Sequence, residues 1–334
     1  MAVNEINAQH LIPGAYVTLI EKDSFPDSSV DQAAVTNAVY SLVTLLQDGV
    51  IGVIGDVTSS WTALSALITS TLNLPQCSFT ASSEAFSDKS QYGYFFRTIP
   101  TDIVMIDALL RFVAQQGWTK VGVLYSDDAL GQQLYQRTIQ QSEQLNIQLV
   151  NYQSFPASNP TSTAVNNALH NVTNSGARVL LLASSGQAQA DFMVQAALSG
   201  YVTADYVWLL VDDTVARVLP NTLQQANANL TMATSFNGIF WISNWLTLNG
   251  YSPYDNFLNQ WDALDSAMLA YSCMMMMAHG FKNMVTNSTN QTNQLWQLAS
   301  GDLDVAMKPN VFNVGYVGPN GPMLLDSNGD MMAG

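Results

Sequence analysis

Short apolar runs alternate with longer amphipathic stretches along most of this chain. Runs bounded by turn residues, at 50–55, 76–79, 92–97, 120–125, 148–154, 178–183, 206–211 and 237–242, predict strands, and the most continuous of them predict burial on both faces. An earlier run, 15–21, predicts one more. Between them, helical spacing predicts helices over 2–10, 29–47, 61–72, 103–117, 163–173 and 187–198, another from the Ser126–Gly131 turn to Leu145, and a long one over 254–284. Strands alternating with helices are the pattern of parallel sheets covered by helices, so the expected class is α/β. In the long helix, Met274 to Met277 cannot all share one face, and that helix is expected to be buried around much of its circumference.

Composition narrows the picture. A chain of 334 residues has room for two lobes of ordinary domain size. Ten basic residues against 25 acidic ones give a formal charge of −15, which argues against nucleic acid, because phosphate binding draws on clustered Lys and Arg. The same acidity disfavours an anionic membrane surface. No apolar run reaches the roughly 18 uncharged residues of a membrane span; the nearest, 263–278, contains Asp265 and reads as a core helix. Met1 leads directly into helical spacing, with no signal-peptide pattern ahead of it. Cys77 in an apolar strand and Cys273 in an apolar helix are read as two buried thiols in preference to a bridge. Asn171, Asn229, Asn287 and Asn290 head glycosylation sequons.

Catalytic chemistry has little to work with. His10, His170 and His279 are scattered without metal-ligand spacing, and His279, just before Gly280, reads as serving a helix C-terminus. Gly49, Gly52 and Gly55 lie within a strand instead of opening a helix, so they do not form a dinucleotide fingerprint. Asp127–Asp128 and Asp212–Asp213 each follow a strand, where capping the next helix is the simpler role. The expectation is a chain that is not an enzyme, with no catalytic residues, no cofactor and no metal.

Polar chemistry concentrates instead where strands end. Residues 74–102, LPQCSFTASSEAFSDKSQYGYFFRTIPTD, read as a buried strand breaking into Thr80, Ser82 and Ser83, then a polar loop and a second strand. Ahead of the helix at 61, Asp56-Val-Thr-Ser-Ser60 supplies a cap and leaves further hydroxyls beside a helix N-terminus, which suits a carboxylate. The 74–102 stretch, followed by Gly117-Trp-Thr-Lys-Val121 and Tyr125-Ser-Asp-Asp128, resembles the ligand-binding ectodomains of the type I periplasmic-binding-protein superfamily. That superfamily includes class C G-protein-coupled receptor ectodomains of the GABA-B and metabotropic-glutamate type, natriuretic-peptide receptor cyclases and bacterial branched-chain amino-acid binding proteins.

The resemblance implies a two-lobed fold, each lobe a parallel sheet flanked by helices, with lobe 1 at 1–102 plus 243–309 and lobe 2 at 103–242 plus 310–334. The first strand of lobe 1, which precedes the opening helix in the family, is missing here, and hinges are expected near Asp102, Asn237 and Pro309. The implied function is an extracellular sensor closing on a small amino-acid-like ligand, attached to the membrane only through a segment outside this chain. A receptor-cyclase ectodomain, a transporter substrate-binding protein and a ligand-silent dimerisation module are the alternatives. Ligand contacts are implied at Ser59, Ser60, Thr80 and Ser82, which match a carboxylate grip, and at Trp61, Ala81, Asp102, Tyr125, Asp128, Ser184, Asp212 and Arg217. Leu130 stands where glutamate-type relatives place a tyrosine. A homo- or heterodimer through lobe 1 is the implied partner, and the Asp326–Asp330 turn is expected as a plain hairpin instead of a calcium loop.

Overall fold

The computed structural model describes residues 1–24, 31–211, 220–222, 236, 239–242, 248–260, 265–301 and 306–332. The chain divides into two compact units, Met1–Thr101 with Trp245–Gly334, and Asp102–Asn244. In the first, α1 (Ala2–Ala8), α2 (Asp31–Gln47), β1 (Val53–Ile54), α3 (Ser59–Thr71), β2 (Gln76–Ser78) and β3 (Phe95–Arg97) come in turn. The second unit follows with α4 (Ile103–Gln115), β4 (Lys120–Ser126), α5 (Ala129–Gln144), β5 (Gln148–Phe155), α6 (Ser162–Asn174), β6 (Val179–Ala183), α7 (Gly186–Leu198), β7 (Val207–Leu210) and β8 (Ile239–Trp241). The chain then returns to the first unit with α8 (Ser252–Gln260), α9 (Asp265–Thr286), α10 (Gln291–Ser300), α11 (Pro309–Phe312), β9 (Tyr316–Gly318) and β10 (Gly321–Met323).

The second unit is built on a five-stranded parallel sheet in the order β5-β4-β6-β7-β8. Its apolar strands fill two cores by simple alternation. Leu124, Leu180, Leu182 and Leu210 pack with Val165, Leu169 and Phe192 of α6 and α7. Val121, Val123, Val179, Leu181 and Leu209 face the other way, onto Ile106, Leu110 and Leu134 of α4 and α5. A run such as Val179–Ala183 is apolar throughout because neither of its faces meets water.

The first unit has a smaller sheet, β1-β2-β3, parallel and only two or three residues per strand. The run 15–21, expected as a strand, forms no ladder. A strand exists only through its pairing, and here the backbone of Val17 is held by the Asn7 side chain, which donates to the Val17 carbonyl and accepts from its N–H, both at 2.8 Å. Among the described residues β2 is the only strand beside β1. The core lies instead around α9. Met275, Met276 and Met277 are all buried there with Phe96, Phe281 and Phe312. Phe312 stacks on Phe96, ring centres 4.9 Å apart, and meets Phe281 edge-on. Gly280 permits that contact: a Cβ on it would come within 2.5 Å of the Phe312 ring.

Three further expectations are corrected in this unit. Cys77 and Cys273 are buried, as expected, but they are bonded to each other, because α9 packs against β2 and brings their Cα atoms to 5.8 Å. Residues 310–334, assigned to lobe 2, lie in the first unit: Phe312 is part of its core, and the Arg97 N–H donates to the Gly329 carbonyl at 3.0 Å. His279 serves no helix end, since α9 continues to Thr286; its half-buried ring lies 5.6 Å from that of Tyr316. The Asp326–Asp330 turn is closed by Asp326 itself, whose carboxylate accepts from the N–H groups of Asn328 and Asp330.

Candidate functional site

In the first unit, Ser59, Ser60 and Trp61 form the first turn of α3, and Thr80, Ala81 and Ser82 occupy the loop after β2. The two pieces are tied together. Ser59 Oγ accepts from the Ser83 N–H at 3.2 Å, and Ser78 Oγ donates to the Asp56 carbonyl at 3.0 Å while accepting from the Ala81 N–H. Thr58 is the cap of α3, its hydroxyl accepting from the Trp61 N–H, so Ser59 and Ser60 are released from that duty. Ser60 is exposed, its hydroxyl 3.1 Å from that of Thr58, whereas Trp61 and Ala81 are buried and contribute packing. Thr80 leans on the Asp56 carbonyl at 3.4 Å, and Ser82 is half-buried. Burial pushes the Asp56 carboxyl up from its ordinary range, against the pull of hydrogen bonds from Ser24 and Ser65.

The loop carrying Ala81, Ser82 and Ser83 is braced from behind. Arg97, fully buried at the end of β3, donates to the carbonyls of Ala81 (3.1 Å) and Ser83 (2.7 Å). Its remaining donors go to Asp330 at 2.7 Å and to Ser87, which itself donates to Asp330. A buried guanidinium with every edge occupied fixes backbone direction, so the loop presents its hydroxyls in one arrangement. The chemistry on offer is a set of neutral donors at the positive end of a helix, suited to a carboxylate and unsuited to a metal. Among the described residues no group of His, Cys, Asp and Glu is arranged to hold a metal ion.

In the second unit, the expected residues collect at one end of the sheet, where Tyr125 of β4 pairs with Ala183 of β6. Tyr125 is stacked on Tyr135 of α5, ring centres 4.3 Å apart and 4° from parallel. Asp128 caps α5, accepting from the Gly131 N–H and from Ser126 Oγ, both at 2.8 Å. Gly131 is required for this: a Cβ there would strike the Ser126 carbonyl at 2.1 Å. Among the described residues Ser184 Oγ, fully buried, has no hydrogen-bond partner, and neither has Oε1 of Gln189, whose amide donates to the Ser184 carbonyl. Asp102 stands at the N-terminus of α4, half-buried. Asp212 and Arg217 lie outside the described residues, as does the expected hinge residue Asn237.

Residues 1–334 match the receptor family ligand binding region. The chain belongs to this family. It is similar to taste receptor type 1 member 3 of Felis catus, 31% identical over 144 residues, which cover 40% of this chain and 17% of that receptor. Gamma-aminobutyric acid type B receptor subunit 2 of Homo sapiens is 30% identical over 127 residues, 38% of this chain and 13% of that one. Metabotropic glutamate receptor-like protein E of Dictyostelium discoideum is 24% identical over 182 residues, 53% and 22% respectively. The alignments therefore span less than a quarter of these relatives' own length. The fold is that of an ABC transporter substrate-binding protein from Desulfitobacterium hafniense solved in complex with Leu: TM-score 0.71, covering 99% of this chain and 88% of that one, at 18% identity. No described helix is long and apolar enough to cross a membrane.

For a receptor ligand-binding region, the residues missed by sequence reasoning are Arg97, Asp330 and Ser78: Arg97 and Ser78 bond the backbone of Ala81, and Asp330 holds Arg97. One clue was available: an arginine inside the apolar strand Phe95-Phe96-Arg97 demands a buried partner. Its identity, 233 residues along the chain, was beyond local pattern.

Proposed function

We propose that this chain is the extracellular sensing domain of a class C type receptor, and that it holds the carboxylate of a small amino-acid-like ligand at the start of α3. The observation that carries the reading is the Ser59–Ser83 tie, which fastens a hydroxyl-bearing loop to a helix N-terminus already capped by Thr58. An anion there meets the N–H groups of the first turn, the Ser82 hydroxyl and the helix dipole together. The bacterial neighbour, which shares the fold, was solved with leucine, and the Cys77–Cys273 bridge suits an oxidising, extracellular setting.

A thermal-shift screen over the amino acids tests this, since a ligand at 100 times its dissociation constant should add about 2.7 kcal/mol to unfolding. For a hit, Ser82→Ala should weaken binding by ~1.5–3 kcal/mol, the range of a hydrogen bond to a charged group, and leave unfolding nearly unchanged. A screen without hits, or a Ser82→Ala variant that binds like wild type, would remove the carboxylate grip.

We further propose a second receptor chain as partner, seated on α2 and α3. Tyr40 and Val43 are exposed one helical turn apart on α2, and Leu64 and Leu67 likewise on the adjoining α3. Leu64→Arg should lower the dimer fraction in sedimentation equilibrium; a wild-type protein that stays monomeric at high concentration would count against a second copy.

A further inference from the structure

A cavity of about 400 Å³ lies wholly within the first unit, walled by α1, α8, α9 and the β9–β10 hairpin, and shares no residue with the candidate site after β1 and β2. Two ring pairs line it. Phe257 and Tyr271 meet edge to face with centres 5.2 Å apart, and His279 and Tyr316 lie 5.6 Å apart. Glu5 joins them: its carboxylate accepts from the Tyr271 hydroxyl and from the Gln9 side-chain amide, and makes no ion pair among the described residues. Burial pushes the Tyr271 and Tyr316 hydroxyls up and, together with Lys282, pulls His279 down, which favours the neutral form of all three rings beside the Glu5 carboxylate. Ser272 Oγ, buried and without a hydrogen-bond partner among the described residues, sits behind the cavity wall at Gly318, 2.8 Å from where a Cβ on that glycine would be.

Aromatic faces attract a cation through their quadrupoles, and a carboxylate held only by neutral donors retains its charge for one. The volume falls within the range of small-molecule sites. We propose that this cavity binds a small organic ammonium ion, its charge on Glu5 and its carbon skeleton against the rings of Phe257, Tyr271 and Tyr316. It would be a second ligand site, independent of the carboxylate grip.

Phenethylammonium chloride is the probe, with 2-phenylethanol as its uncharged counterpart. Calorimetry should give saturable binding of the ammonium, at least tenfold weaker binding of the alcohol, and at least a tenfold loss in Glu5→Gln, where the new amide oxygen can still accept from Tyr271. In wild-type protein carrying ¹³C-methyl methionine, the Met275 resonance should move on titration, because Met275 lines the cavity; this readout needs no variant in the cavity to fold. Absence of saturable binding, a stationary Met275 signal at saturation, or an affinity that follows Ser82→Ala instead of Glu5→Gln would overturn the proposal.

Discussion

The two units reach a folded core by different means. The second has a sheet covered on both faces, so in a central strand such as Val179–Ala183 each residue adds to one core or the other. The first has strands of two or three residues, too short for ladder bonds and strand packing to supply comparable cohesion. It is held by ties between distant parts of the chain: the Cys77–Cys273 bridge, the buried Arg97–Asp330 pair and the stack of Phe312 on Phe96. The difference shows where structural sensitivity lies. Apolar packing fills both units, but the first adds a disulfide and a buried ion pair between distant parts of the chain, and the ion pair also sets the shape of the candidate site.

The ion pairs offer the sharpest way to break this contrast. Arg97→Met or Asp330→Ala strands a buried charge or its partner carbonyls, and each should cost about 3–5 kcal/mol in denaturant unfolding. The pair in the second unit, Arg137–Asp107, is equally close at 2.6 Å, but its side chains are 27% and 21% exposed, so Arg137→Met should cost at most about 1 kcal/mol. Equal costs for the two pairs would dissolve the comparison.

Removing the bridge comes next. The Cys77→Ala, Cys273→Ala double variant should lose about 2–5 kcal/mol, mostly through a freer unfolded chain, and reduction of the wild type should reproduce the loss. A double variant as stable as wild type would mean that packing of α9 on β2 suffices alone.

The most local effect concerns Lys89, which donates to the carbonyls of Phe86 and Phe95 at 2.8 Å each and is pulled down to about 8 from the usual 10.5 by burial. Between those pH values the unfolded chain keeps the lysine proton and the folded chain has released it. Stability therefore rises with pH over that window, relative to a Lys89→Met variant. A pH-independent difference between the two proteins would show that burial leaves this lysine unperturbed.

Much of this architecture was legible because it is local. The β6 run predicts a doubly covered strand wherever it sits, and four consecutive methionines predict a helix buried around its circumference, whatever packs on it. The hydroxyls at the ends of the 50–55 and 76–79 runs marked the loops that now frame α3. What local pattern could not supply is pairing at a distance. Nothing near Cys77 names Cys273, 196 residues away, and reading both as buried apolar residues gave the right environment and the wrong bond. The 15–21 run has the composition of a strand, but strand formation depends on an edge to pair with, and only the tertiary structure decides whether one is present. By itself the sequence determined the alternation of elements and the polar strand ends, since these follow from periodicity and turn chemistry. The tertiary structure alone decided that Arg97 braces the loop after β2 and that Glu5 meets Tyr271, because each depends on which distant groups the packed core brings within hydrogen-bonding reach.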